Sequence, residues 1–141
     1  MRVSEILLSK GNKVHQISPN ASLAEAVASL VRFNCGSLMV EESQSIFGII
    51  TERDILKAID SQKQSISELS VRDFMSRKLI TGNPTDELGS VMGVLTSNRV
   101  RHLPIFDEGR LVGMISIGDI VKAQYDLMAV ENHYLKSYIQ G

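Results

Sequence analysis

The sequence predicts an α/β (α+β) fold made of two β-α-β-β-α repeats packed sheet to sheet about a pseudo-twofold axis. Three observations predict it. The chain repeats itself at a fixed offset, helical and strand spacings of apolar residues follow one another in the same order in both copies, and a unit this small leaves one face of its sheet bare. Sliding the chain by 65 places aligns residues 14–58 with 79–123 without a gap. Ten of the 45 aligned positions are identical, among them Pro19/Pro84, Leu23/Leu88, Gly48/Gly113, Asp54/Asp119 and Ala58/Ala123. Chance would give about three.

Each copy opens on a short strand, at 14–17 and 79–81, followed by a turn marked by proline. A helix comes next. In the first copy Ser22-Leu23-Ala24-Glu25 is a capping signal, since the serine hydroxyl can accept from the third amide of the helix while the glutamate reaches back. Leu23, Ala26, Val27, Leu30 and Val31 then recur at the spacing of one buried helical face, and the helices are expected to end near Phe33 and Asn98. Two apolar runs, 37–40 and 46–50, are matched by 102–106 and 111–115, with polar turn-like links between them. A closing helix follows Thr51 and Ser116. A short lead-in helix at 71–75 matches residues 3–7. The expected organisation is repeat 1 over 1–60, a connection rich in Ser and Gln over 61–70, repeat 2 over 71–124 and a helical extension over 125–141.

Composition bounds the function. With 15 Lys or Arg against 16 Asp or Glu, the formal charge is −1, which argues against bulk attraction to nucleic acid or anionic lipid. The 43% hydrophobic and 22% charged residues are those of an ordinary globular protein and exclude disorder and collagen-like structure. A chain of this length buries about 70% of its unfolded surface, enough for one compact module. One cysteine, Cys35, excludes an internal disulfide and a CxxC pair. An acidic residue at Glu5, the lack of a signal-like apolar core and the lack of a membrane-length apolar run lead to the expectation of a soluble, cytoplasmic protein.

The stretch richest in chemistry is Gly48-Ile49-Ile50-Thr51-Glu52-Arg53-Asp54, with its counterpart Gly113-Met114-Ile115-Ser116-Ile117-Gly118-Asp119. It reads two ways. A hydroxyl three residues before a carboxylate at a strand-to-helix junction is an N-cap box. The same junction presents helix amides that favour phosphate and a carboxylate able to accept from both vicinal hydroxyls of a ribose. The two readings are compatible. Recurrence of the leading glycine weighs toward the second, because a cap by itself does not require it.

The duplicated pattern, with Thr51-Glu52-Arg53-Asp54 and with Arg101-His102-Leu103-Pro104 ahead of Ser116-Ile117-Gly118-Asp119, resembles a tandem pair of CBS (cystathionine-β-synthase) domains, a Bateman module. The resemblance covers roughly residues 3–122, and is greatest to the small stand-alone bacterial proteins that hold only such a pair. It implies a regulatory sensor that requires no cofactor and binds AMP, ADP, ATP, NAD or S-adenosylmethionine in the inter-repeat cleft, usually as a disc-like homodimer. It also implies roles. Asp54 and Asp119 would accept from ribose hydroxyls, with Thr51 and Ser116 beside them. Arg53, Arg101 and His102 would contact phosphate, or else be solvent-facing charge. Ser76 and Lys78, with first-copy counterparts Ser9 and Lys10, would line the pocket, and adenine would lie near Ile17 in one site and Ile80 in the other. The sites would be unequal, because Gly36-Ser37 stands where the second copy has Arg101-His102, and Gly118 where the first has Arg53.

Other features read plainly. Met39, Met92 and Met114 fall on apolar periodic positions and are expected in the core. His15 and His133 have no partner at metal spacing, and no motif brings a His or Asn to Cys35. From Ile120 onward, Leu127, Met128, Tyr134, Leu135, Tyr138 and Ile139 form a stripe suited to a partner helix, which would pack on its own module or at a dimer contact. No activated nucleophile, paired catalytic carboxylate or metal constellation is recognisable, so the expected function is sensing rather than catalysis, with a purely structural interaction module as the alternative. Any regulated protein is expected to be a separate polypeptide.

Overall fold

The structure, a computed structural model, describes residues 1–140. Gly141, the last residue of the expected extension 125–141, lies outside the described residues. The described chain runs α1 (Val3–Lys10), β1 (Gln16–Ile17), α2 (Leu23–Phe33), β2 (Ser37–Glu42), β3 (Ser45–Thr51), α3 (Glu52–Ser61), α4 (Val71–Phe74), α5 (Leu88–Asn98), β4 (His102–Asp107), β5 (Arg110–Ser116) and α6 (Ile117–Gln140). It divides into two compact units, one of Val14–Leu79 and the other of Met1–Lys13 with the described chain from Ile80 onward.

In the unit Val14–Leu79 the sheet order is β1-β2-β3, with β1 parallel to β2 and β2 antiparallel to β3. The Ser22 box forms as expected: Ser22 Oγ accepts the Glu25 amide at 3.1 Å and Glu25 Oε2 accepts the Ser22 amide at 2.9 Å. Asn34, at positive φ, ends α2. The β2–β3 link is a two-residue turn, Ser43 and Gln44, both at positive φ, the geometry that matches strand twist. Leu23, Leu30, Leu38, Val40, Ile50 and Ile55 are among the residues that form the core between the helices and the sheet. Met39, expected in the core, is fully buried.

The second unit repeats the plan with two differences. Its helix α5 starts at Glu87, whose side chain makes no cap hydrogen bond. Its first strand, expected over 79–81, reduces to a single parallel bridge between Gly82 and Ile105. The cause lies at position 104. In the first unit the Met39 amide donates to the His15 carbonyl at 3.0 Å. The matching residue is Pro104, which has no N–H, so that rung cannot form. The bridge keeps the bonds proline permits: Gly82 N–H to the Pro104 carbonyl at 3.0 Å and Phe106 N–H to the Gly82 carbonyl at 2.9 Å.

The units do not follow the order of the sequence repeats. The lead-in helix α1 precedes the first repeat but packs in the second unit, where Val3 and Ile6 join the core of Leu88, Leu95 and Ile115. Its amides at Val3 and Ser4 donate to the carbonyls of Asp86 and Pro84, both at 2.9 Å. Helix α4 does the same for the first unit: Val71 and Arg72 donate to Ala21 and Pro19, both at 2.9 Å, and Val71 and Met75 are buried in its core. Each repeat is thus completed by the lead-in segment of the other.

Candidate functional site

Each strand-to-helix junction is built from the same local chemistry. At the end of β3, Thr51 Oγ1 accepts the Asp54 amide at 3.3 Å, and Asp54 Oδ2 accepts the Thr51 amide at 2.9 Å and the Thr51 hydroxyl at 3.1 Å. At the end of β5, Ser116 Oγ accepts the Asp119 amide at 3.1 Å, and Asp119 Oδ2 accepts the Ser116 amide at 2.8 Å. Both acids therefore complete capping boxes, and both stay half-buried at the mouth of their helix. The first amide of each closing helix is taken by the residue ahead of the neighbouring strand: Glu52 donates to Gly36 and Ile117 to Arg101.

The recurring glycines have a steric cause that removes them from the ligand argument. The residue-76 segment bonds to β3 beside Gly48, through Ile49 N–H to the Ser76 carbonyl at 3.0 Å and Ser76 N–H to the Ile49 carbonyl at 2.8 Å. A Cβ on Gly48 would fall onto the Ser76 carbonyl oxygen. A Cβ on Gly113 would meet a Leu7 methyl at 2.6 Å. The glycine expected to mark a ligand site instead admits the lead-in segment of each unit.

In the unit Val14–Leu79, Thr51, Asp54 and Arg53 lie at one junction, Arg53 exposed on the first turn of α3. Ser76 borders β3, and exposed Lys78 follows it. Ile17, half-buried, lies on β1 at the opposite edge of that sheet, paired with Val40. In the second unit, Ser116, Asp119, Arg101, His102 and Lys10 come together. His102 is the strand partner of Ser116, Arg101 is exposed next to it, and Ser9 and Lys10 end α1. Ile80 is half-buried against the same core.

Lys10 makes the contact that sequence reading missed. Its Nζ donates to Asp119 Oδ2 at 2.5 Å and to the Met114 carbonyl at 2.8 Å, with the side chains 35% and 23% exposed. Burial opposes ionisation of Asp119, but hydrogen bonds from Lys10 and from the Ser116 amide, with the lysine charge, outweigh it and hold the carboxyl below its ordinary range. Residues 3–7 were matched to 71–75 within their own repeats, so Lys10 was assigned to the first copy. Only the packing of α1 in the second unit brings it to the second acid. Lys78 stands at the matching place in the other unit.

Cys35 is half-buried; burial pushes its thiol up, a Ser37 hydrogen bond opposes this and nearby Glu52 adds to it, the opposite of an activated nucleophile. His15 stacks on Phe33 with centroids 3.9 Å apart. Among the described residues no group of three or more His, Cys, Asp or Glu could hold a metal, and no helix is long and apolar enough to cross a membrane.

Comparison with known proteins agrees with this architecture. The family model described as "CBS domain" matches residues 3–61 and again 71–126. The CBS domain-containing protein CBSX3, mitochondrial, of Arabidopsis thaliana is 36% identical over 99% of this chain and 72% of its own length. The crystal structure of the CBS-domain containing protein ATU1752 from Agrobacterium tumefaciens superposes with a TM-score of 0.85 at 34% identity, covering 88% of this chain and 99% of that one. The CBS domain pair of protein MJ0100, solved in complex with 5′-methylthioadenosine and S-adenosyl-L-methionine, shares the fold with a TM-score of 0.74 at 23% identity, over 89% of this chain and 97% of that one. Two matched copies, two like-built units and relatives that match along most of this chain lead to one conclusion: this chain belongs to the CBS domain family and is a CBS domain pair.

Proposed function

We propose that this pair is a regulatory module that takes an adenosyl ligand, of the class AMP, ADP, ATP, NAD or S-adenosylmethionine, and passes its ligand state to a separate partner protein. The observation that carries the reading is the cluster at the second unit's junction. There Asp119, ionised beside Lys10, lies at the start of α6, and the strand that pairs with Ser116 brings Arg101 and His102. A carboxylate that can accept from two ribose hydroxyls, with cations and helix amides gathered at the same junction, suits the neutral ribose and the anionic phosphate of a nucleotide. Lys10 and the Ser116 amide both use Oδ2 of Asp119. Oδ1 is the oxygen to which a sugar hydroxyl would add. Thr51, Asp54 and Arg53, with Ser76 and Lys78, give the other unit a similar but differently charged set; an adenine ring would lie against Ile80 in one site and Ile17 in the other, Ile17 being on the far edge of its sheet from Thr51. The MJ0100 likeness speaks for the fold, so the ligand class rests on these residues. A chain with one cysteine suits a reducing, cytoplasmic setting. Any effect on a partner is bounded by the ligand's difference in affinity between two arrangements of the module.

A structural reading has its own support, because both acids already cap their helices. Isothermal titration of nucleotide-free protein with AMP, ATP, NAD and S-adenosylmethionine separates the two. At least one ligand is expected to bind, and Asp119→Asn or Asp54→Asn to weaken it by roughly 1.5–3 kcal/mol, about 10- to 150-fold, the range of hydrogen bonds to a charged group. Folded protein that binds none of the four would leave an interaction module without a ligand.

A further inference from the structure

Asp119 is bonded to a segment far from it in sequence, and that bond competes with a sugar. A carboxylate oxygen carries two lone pairs. On Asp119 Oδ2 both are filled, by the Ser116 amide at 2.8 Å and by Lys10 Nζ at 2.5 Å. Oδ1 can accept one hydroxyl of a ribose, but the vicinal hydroxyl needs Oδ2. The Ser116 amide is fixed in the backbone of the β5–α6 junction, so Lys10 is the donor that can leave. The first unit differs here. Both donors on Asp54 Oδ2 belong to Thr51, so a sugar there would displace only a hydroxyl three residues away.

Lys10 is the last residue of α1, and Gly11, at φ 93°, ends that helix with its amide on the Leu7 carbonyl at 2.8 Å. Leu7 packs on the core, but Leu8, Ser9 and Lys10 are exposed. The two bonds of Lys10, to Asp119 and to the Met114 carbonyl at 2.8 Å, therefore tie down the last turn of α1. Gly11, Asn12 and Lys13, all exposed, then lead the chain into the unit Val14–Leu79.

We propose that the Lys10–Asp119 pair is a latch: a ribose that takes both carboxylate oxygens of Asp119 displaces Lys10 and releases the last turn of α1 with the connection 11–13. The latch rests on the adenosyl reading above. It adds the route by which an occupied site changes the chain outside it, since 11–13 is one of the two places where the chain passes between the units.

The test uses the full chain with Asp54→Asn, which weakens the other junction. AMP and ATP are each compared with the 2′-deoxy form, which has one hydroxyl for Asp119 and can bind through Oδ1 with Lys10 in place. Saturation with the ribonucleotide is expected to speed hydrogen exchange at the amides of residues 8–13, and saturation with the deoxy form to leave it unchanged. Titration is expected to show that adding Lys10→Met raises the preference for ribo over deoxy by about two- to fivefold, the worth of a half-exposed ion pair that no longer has to be broken. Lost attraction for phosphate would move both nucleotides alike and cancel in that ratio. Slower or unchanged exchange over 8–13 with the ribonucleotide, or an unchanged preference in Lys10→Met, would overturn the latch and leave the adenosyl reading intact. Folded protein that binds neither AMP nor ATP overturns the latch as well, and if it also refuses NAD and S-adenosylmethionine the reading beneath it falls too.

Discussion

Alanine at Gly48 would test how each unit is closed. The added Cβ meets only backbone: the Ser76 carbonyl oxygen, its carbon at 3.1 Å and the Arg77 Cα at 3.4 Å. Backbone cannot swing aside as a rotamer does, so the residue-76 segment has to move away from β3. That forfeits the two hydrogen bonds joining Ile49 and Ser76. Each is worth about 0.5–1.5 kcal/mol net. Overpacking adds about 1–3 kcal/mol where nothing yields. The sum is roughly 2–6 kcal/mol, and partial relaxation should place the loss near 3. Gly113→Ala is the internal control, since the same methyl there meets only the Leu7 side chain, at 2.6, 3.0 and 3.3 Å, and Leu7 is half-buried and free to change rotamer. Its cost is offset by the lower unfolded-state entropy of alanine and should stay within about 1 kcal/mol. Urea unfolding followed by circular dichroism, with slopes compared to check that the same surface is exposed, measures both. Equal losses at the two positions, or a Gly48→Ala variant as stable as the parent, would refute the steric account of the repeated glycine.

Asp119 gives a pH signature. Its carboxyl is held below the ordinary 3.8, so its pair with Lys10 stabilises the fold above that value, and the contribution is lost as pH falls through the lower folded value. Parent and Asp119→Asn should therefore differ in stability by a constant amount from neutral pH down to the ordinary carboxylate range and converge below it; a gap that widens on acidification would contradict the sign. The half-exposed pair limits the effect of Lys10→Met to about 1 kcal/mol. The two caps should also differ: Ser22→Ala removes a formed box and should cost about 1 kcal/mol in urea unfolding, while Glu87→Ala, which removes no cap bond, should stay within about 0.5 kcal/mol. A comparable loss at both positions would mean that the Ser22 box is not what starts α2.

Local elements were legible because their causes are local. Apolar spacing and the Ser22 box located α2 and α5, whose ends fall at Phe33 and Asn98 as read, and the matched runs located the two hairpins. The acids at the junctions were legible too, both as caps and as candidate ligands. Reading failed where the cause was a partner distant in sequence. The strand expected at 79–81 was judged by its own residues, yet the missing rung belongs to Pro104. The glycines were given a chemical reason when the reason was the approach of residues 76 and 7.

By itself, then, the sequence determined the repeat, the order of elements in each copy and the residues that meet at each junction, because periodicity and capping act over a few residues of chain. Tertiary structure decided which lead-in helix completes which repeat, and with it that Lys10 reaches Asp119 across more than a hundred residues. Two lead-in segments with the same apolar pattern fit either core equally well on paper. Only the packed arrangement, where the amides of Val3 and Ser4 find the carbonyls of Asp86 and Pro84, selects one.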